Sequence, residues 1–253
     1  RHTEMRTSGN TILITGGGSG IGLALVRELY QKGNNLILTG RSDKTLQEVK
    51  KEFPNISTLQ CDIFNVEDVD TLLDTCQKAF KAINIFIANA GIQQMYAQQH
   101  NNLDTKEFES ARGVETISPL RLIYGLIPLI SKNSDSAIVL VSHGQKISEK
   151  NSPSLYRETE KAVKNFSHWL RSQLVNECIQ VIAIIPPLSD VQLKSGSFGS
   201  GISEEAIAKR FMLDAEKGRN ESNIGKSLIF KVVNSISPKI AKFLWRAKKN
   251  KTA

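Results

Sequence analysis

Short, almost unbroken apolar runs alternate along this chain with segments whose apolar positions recur every three or four residues. "TILIT" (11–15), "NLILTG" (35–40), "ISTLQC" (56–61), "INIFIANAG" (83–91), "AIVLVS" (137–142) and "IQVIAIIPP" (179–187) are runs of the first kind. Their length and β-branched content read as strands buried on both faces. Between them, "GLALVRELYQKG", ending in Gly33, and "KTLQEVKKEF", stopped by Pro54, have helical spacing, as do 66–82, 104–132 and 154–177. Strands alternating with helices predict right-handed crossovers and a parallel sheet covered on both faces. The expected fold class is therefore α/β, a doubly wound parallel sheet in a single domain. That domain is expected over 9–237, after a lead-in 1–8 whose opening "RHTE" reads as a tag remnant, and before a basic tail, 238–253. The stretch 188–203, rich in Gly and Ser, is the expected mobile loop.

Composition narrows the function classes. At 253 residues, with 40% hydrophobic and 23% charged residues, the chain can bury one large core. The formal net charge of +8 is concentrated in the last fifteen residues, where Lys239, Lys242, Arg246, Lys248, Lys249 and Lys251 stand without an acid. The rest is close to neutral, which argues against nucleic acid as a partner. The tail has two readings: an amphipathic segment resting on an anionic membrane surface, or a final helix docking Ile240, Phe243, Leu244 and Ala247 on the core. The three widely spaced cysteines, Cys61, Cys76 and Cys178, suggest neither a disulfide framework nor a metal site. With no visible signal peptide and no run long enough to span a bilayer, a cytoplasmic protein is expected.

Chemistry first shows after the first strand, in "TGGGSGIG" (15–22). Gly16, Gly20 and Gly22 punctuate a strand-to-helix turn, where backbone amides and a helix N-terminus can approach a pyrophosphate. The second strand ends in Gly40–Arg41. An acid at that point suits the 2′-hydroxyl of NAD, whereas an arginine suits a 2′-phosphate. NADP(H) is thus favoured over NAD(H).

"TGGGSGIG", "CDI" (61–63) and "ANAG" (88–91), in this order and spacing, resemble the fingerprint of the short-chain dehydrogenase/reductase family. The resemblance covers nearly the whole chain and implies a Rossmann-like sheet. "AGIQ" and "IPP…D" are most similar to the branch containing the oxidoreductase of teichoic-acid D-alanylation clusters. By resemblance the cofactor set is Gly16, Gly18, Ser19, Gly20, Ile21, Gly22, Arg41, Asp62, Ile63, Asn89, Ala90, Gly91 and Pro186, with Asp62 beside the adenine. Ala88 departs from the family's asparagine.

The family's catalytic set is Asn, Ser, Tyr and Lys, and here the resemblance breaks. "SLYRETEKAVKNF" keeps Tyr156, but Glu160 falls where the lysine belongs. Shifting the register to use Lys161 would put Lys164 and Ser167 on the apolar positions that Val163 and Phe166 fill, so the ungapped alignment is preferred. Lys161 could then reach the site only through a bulge in the helix. His143 replaces the serine, with Ser142 beside it; Glu115 replaces the asparagine; Pro187 and Val191 stand in the segment that would carry a threonine. A carboxylate near Tyr156 should push its hydroxyl pKa up. Glu115, His143 and Glu160 are either a new acid-base site or a polar network filling vacated space.

Two functions remain open. One is an NADP(H)-dependent oxidoreductase acting on a carbonyl or alcohol, with Tyr156 as acid and His143 or Ser142 orienting the substrate oxygen. The other is a catalytically inactive member acting as nucleotide sensor, scaffold or partner subunit. A hydrolase or lyase built on His143 and the two glutamates is a weaker third. The resemblance also implies a homodimer or homotetramer assembled through 104–132 and 154–177, Trp169 and Leu170 being either the exposed face or core. The substrate pocket is expected from 92–103 and 188–203.

Overall fold

The computed structural model describes residues 4–90, 120–142, 153–186 and 202–223, with only the backbone at 153–159 and 223. Seven strands form one parallel sheet: β1 (Thr11–Thr15), β2 (Asn35–Gly40), β3 (Ser57–Gln60), β4 (Ile85–Ala88), β5 (Ser136–Val141), β6 (Ile179–Ile185) and β7 (Glu221–Asn223). Their spatial order is β3-β2-β1-β4-β5-β6-β7. The register runs unbroken through Ile14↔Leu38 on one side of β1 and Ile14↔Ile87 on the other. From β1 the chain winds outward to β2 and β3, then crosses back to β4 and winds the other way. The order therefore reverses between β1 and β4, the place where doubly wound sheets open a crevice at the carboxyl ends of their strands.

Among the described residues six helices cover the sheet: α1 (Gly20–Gln31), α2 (Asp43–Glu52), α3 (Val66–Ala79), α4 (120–130), α5 (Pro153–Gln173) and α6 (Glu204–Glu216). Strand alternation divides the core in two. Ile12, Ile14, Leu36, Leu38, Ile85, Ile87, Val139 and Ile184 pack beneath α1, α2 and α6. Leu13, Ile37, Phe86, Ile138, Leu140, Val181 and Ala183 pack beneath α3, α4 and α5. Because both faces are covered, β1, β4 and β5 read as continuous apolar runs, as expected.

Several boundaries differ from the sequence reading. The fourth strand ends at Ala88, since the Asn89 amide folds back onto the Ile87 carbonyl (3.0 Å) and Thr15 (3.1 Å) instead of extending the ladder. The third strand is Ser57–Gln60 and the sixth ends at Ile185, one to two residues short of the apolar runs. The third helix stops at Ala79, with Phe80 as its C-cap, and the fifth at Gln173. Of 104–132, only the last part lies within the described residues. Helix α6 and strand β7 were not anticipated: β7 is the tripeptide Glu-Ser-Asn, with no apolar signature. The lead-in is packed from Met5 onward: Met5 is buried, and its amide donates to the Ala215 carbonyl at 3.1 Å.

Candidate functional site

The turn after β1 lies at the switch point. Gly16, with φ of 69°, turns the chain where a side chain would be strained. The side chain of Asn89, at the end of β4, donates through Nδ2 to the Gly16 carbonyl at 2.9 Å. Thr15 Oγ1 accepts the amides of Asn89 and Ala90 at 3.1 Å each. A Cβ on Gly22 would fall on the Gly16 carbonyl oxygen and come within 2.5 Å of Asn89 Nδ2. Only a glycine in the first turn of α1 permits this closure.

The turn delivers the N-terminus of α1 with its donors uncommitted. Ser19 is the N-cap, makes no side-chain capping bond, and no acid stands in the first turn. The other helices whose N-caps are described are closed: Ser42 caps α2, Asn65 caps α3 and Ser203 caps α6, and each has an acid in its first turn. Gly20 has φ of 54° and open space where a Cβ would stand. Uncapped amides, the positive end of the helix dipole and a glycine-lined approach fit an anionic diphosphate. The described residues thus fit the phosphate portion of a dinucleotide. Gly18, half-buried, lies against Thr45, whose Cγ2 would be 2.6 Å from an added Cβ.

On the β2–β3 side, Arg41 is exposed and makes no ion pair among the described residues. Its backbone carbonyl accepts a hydrogen bond from Gln60 Nε2 at 3.0 Å, a link the sequence reading missed. Asp62 is held in a tight turn: its Oδ1 accepts from the Phe64 amide at 3.1 Å and its own amide donates to Asp68 Oδ2 at 2.8 Å. Ile63 beside it is buried. Burial pushes the Cys61 thiol up to about 11, and that of Cys76 up to about 12. Neither supplies a thiolate at neutral pH.

On the β5–β6 side, the Ser142 amide still pairs with the Ile184 carbonyl at 2.9 Å. The alternation of β5 therefore carries on to Ser142 and places it with Ile138 and Leu140, on the α5 face. Its hydroxyl is fully buried without a partner among the described residues. Pro186, buried, ends β6.

Helix α5 runs without interruption from Pro153 to Gln173. Its buried positions among the described residues are Val163, Ser167 and Leu170, and Leu174, also buried, follows just past its end. Spaced 3, 4, 3 and 4 from Glu160, they define one stripe that Glu160 continues toward the sheet's carboxyl edge. This helix agrees with the preferred ungapped alignment, and it gives Glu160 a partner. Lys161 is exposed on an unbroken helix, so no bulge brings it inward. Glu160 is not an unbalanced carboxylate: Lys164 Nζ donates to its Oε1 at 2.6 Å, with side-chain exposures of 20% and 23%. The Glu–Lys spacing of four was the signal available in the sequence. Leu170 is core, while Trp169 is exposed.

Gly91, Glu115, His143, Pro187 and Val191 lie outside the described residues, as do 92–103, most of 188–203 and the tail 238–253; of Tyr156 the backbone alone is described. Among the described residues no helix is long and apolar enough to cross a membrane.

A doubly wound sheet with a glycine-lined first turn at its switch point defines a dinucleotide-binding type of α/β protein. The sequence profile of the short chain dehydrogenases matches residues 10–198, and the chain belongs to that family of oxidoreductases. It is 32% identical over 235 residues to the uncharacterized oxidoreductase DltE of Bacillus subtilis (strain 168), covering 86% of this chain and 88% of that one. An uncharacterized oxidoreductase of Staphylococcus aureus (strain MW2) is 26% identical over 183 residues, covering 72% and 78%. In three dimensions the chain is similar to a short chain dehydrogenase from Burkholderia cenocepacia J2315 in complex with NADP. The TM-score is 0.70 at 20% identity, over 93% of this chain and 97% of that one. It is also similar to L-sorbose reductase from Gluconobacter frateurii, complexed with NADPH and L-sorbose, with a TM-score of 0.62 at 21% identity over 87% and 95%. At such identities the two structures bear on the fold alone.

Proposed function

We propose that the protein is a nicotinamide-dinucleotide oxidoreductase that favours NADP(H) and acts on a carbonyl or alcohol. The observation that carries this is the closure of Gly16, Gly22 and Asn89 beneath the uncapped N-terminus of α1. In this reading the amides of Gly20, Ile21 and Gly22, with Gly18 and Ser19, hold the pyrophosphate. Arg41 meets the 2′-phosphate; Asp62 and Ile63 flank the adenine; Asn89, Ala90, Gly91 and Pro186 line the cleft. The guanidinium of Arg41, exposed and without an ion pair among the described residues, supports the NADP(H) preference. Bound in its reduced form, the nicotinamide supplies hydride. Tyr156 then holds the proton for the substrate oxygen, and Ser142 or His143 orients that oxygen.

A second reading has its own observation. With Glu160 tied to Lys164 and Lys161 facing solvent, no lysine on α5 takes the position the family uses to activate the tyrosine. This favours a nucleotide-binding protein of low or absent turnover. Calorimetric titration with NADPH, NADP⁺ and NADH, followed by a panel of aldehydes and ketones with NADPH, separates the two. Turnover that Tyr156→Phe abolishes supports the enzyme. Micromolar binding without turnover supports the sensor, and binding of no dinucleotide sinks both. Self-association is proposed through α4 and α5, where exposed Trp169 meets Tyr124 edge-on at 6.2 Å and stacks on Phe166 at 5.7 Å.

A further inference from the structure

The amino edge of the sheet, opposite the crevice, carries a polar network that the dinucleotide reading does not use. Asn10, Asn34 and Asn84 stand just before β1, β2 and β4, and all three are buried. Their side chains are joined in series. Asn84 Nδ2 donates to Asn10 Oδ1 at 2.9 Å, and Asn10 Nδ2 donates to Asn34 Oδ1 at 3.0 Å. Asn84 Oδ1 accepts the Thr11 amide at 3.0 Å, and Asn34 Oδ1 also accepts the Asn10 amide at 2.9 Å.

The donors left over hold the lead-in. Asn10 Nδ2 donates to the Arg6 carbonyl at 2.8 Å, and Asn34 Nδ2 to the Thr7 carbonyl at 2.9 Å. Residues 5–10 form no helix or strand, so these side chains satisfy backbone groups that a ladder would otherwise pair. The other end of the segment sits on α6. Met5 is buried and its amide donates to the Ala215 carbonyl at 3.1 Å, while Thr7 Oγ1 donates to Glu216 Oε1 at 2.7 Å. Arg6 lies 3.6 Å from Asp135, just before β5. The segment is thus a strap from the C-terminal end of α6 to the amino ends of the central strands. Gly9 turns it back onto β1, with φ of 66° and open space where a Cβ would stand.

A buried network in which each amide group has its partner is all or none. Breaking one link strands a buried donor or acceptor at the full desolvation cost of that group. Lifting the whole strap instead returns the Arg6 and Thr7 carbonyls to water together and opens Asn10 and Asn34 to it. A left-handed glycine with nothing packed on it is the hinge that such a movement needs.

We propose that residues 5–10 are a two-state strap, locked by the amides of Asn10, Asn34 and Asn84 and hinged at Gly9, which seats and releases as one unit and so fastens or frees the C-terminal end of α6. Both states leave the crevice at the carboxyl edge as it is, so the strap works with or without a dinucleotide.

The test is site-resolved amide hydrogen exchange by NMR on the whole protein, at rising denaturant concentrations below the unfolding transition. The amides of Met5 and Asn10 report the two ends of the strap, and those of Ile14 and Ile87 the middle of the sheet. Met5 and Asn10 are expected to exchange through one opening, with the same protection factor and the same shallow denaturant slope, at least about tenfold less protected than Ile14 and Ile87 without denaturant. Gly9→Ala adds a methyl that meets open space but resists the left-handed backbone, so it should speed exchange at Met5 and Asn10 by one common factor, about tenfold. A response at Asn10 without one at Met5 would mean that the segment frays piecemeal, and would overturn the proposal. Protection of Met5 and Asn10 that follows Ile14 and Ile87 at every denaturant concentration would overturn it too, because the strap would then let go only when the whole protein unfolds.

Discussion

The carbonyl of Gly16 and the α-carbon of Gly22 are so close that no side chain fits between them, and Asn89 Nδ2 occupies the remaining space, bonded to the same carbonyl at 2.9 Å. One contact therefore joins β1, α1 and β4 where the winding of the sheet reverses. Gly22→Ala forces this closure apart at an estimated cost of about 1–3 kcal/mol from overpacking. A thermal melt should show a midpoint lower by several degrees, and NADPH affinity should fall with it. Asn89→Ala, which strands the Gly16 carbonyl, should cost about 1–2 kcal/mol. A Gly22→Ala variant that melts and binds like the wild type would show the turn to be looser than its geometry.

Arg41 is expected to carry the cofactor preference. Arg41→Ala should weaken NADPH binding by roughly 10–100-fold, the worth of a charge-assisted phosphate contact, and leave NADH within about twofold. The comparison of the two dissociation constants is decisive, because a general loss of folding lowers both affinities. Gln60→Ala, which releases the Arg41 carbonyl, should produce a smaller shift in the same direction.

Turnover should respond to the order of charges on α5. Glu160→Lys alone places two lysines four residues apart, a like-charge pair that drives the new ammonium away. Glu160→Lys with Lys164→Glu keeps the ion pair and reverses it. The double variant should reduce a test aldehyde with NADPH at least about tenfold faster than the single variant, if each pK unit on Tyr156 is worth about 1.4 kcal/mol. A single variant as active as the double would show that the Lys164 charge is not felt at the site.

Acid stability should depend on the contact between the lead-in and α6. The Glu216 carboxyl accepts from Lys32 and from Thr7 Oγ1, and the Lys32 contact above all holds it below its ordinary value of 4.5. A carboxyl depressed in the folded state contributes stability above its unfolded pKa and loses it as pH falls through the folded one. Glu216→Gln should therefore melt lower than the wild type above pH ~5, and the two curves should converge toward pH ~3. The gap will be small, since the pair is substantially exposed. A gap that widens on acidification would contradict the assignment.

Two residues before Glu216 on α6, Asp214 is 2% exposed and accepts from Arg210 at 2.9 Å, Arg219 at 2.7 Å and Ser222 at 2.9 Å. It ties α6 to β7, a strand too short and polar to be held by apolar burial. Asp214→Ala should cost about 2–3 kcal/mol in a denaturant titration without changing NADPH affinity in the folded protein. A cost below about 0.5 kcal/mol would mean that the arginines, half in water, give up little.

The sequence by itself determined the sheet, its parallel winding and the phosphate turn. Each is a local matter: a run such as "TILIT" buried on both faces has no amphipathic alternative, and a glycine is required wherever backbone meets backbone. It also showed that Glu160, and not Lys161, shares a helical face with Tyr156, because 3.6 residues per turn leaves no choice once Val163 and Phe166 must face inward. Only the tertiary structure decided how far the Glu160–Lys164 pair is shielded. The partnership depends on the helix staying unbroken, and the shielding on α5 lying against β5 and β6, where Ser142 also ends. The same holds for β7 and the Asp214 cluster. Three polar residues carry no strand signal, and they become a strand because β6 offers an edge and a buried carboxylate gathers donors from α6 and from either side of the turn that follows it. The spacing of four between Glu160 and Lys164, and between Arg210 and Asp214, stood in the sequence; how deeply each pair is shielded did not, because burial depends on what packs over it.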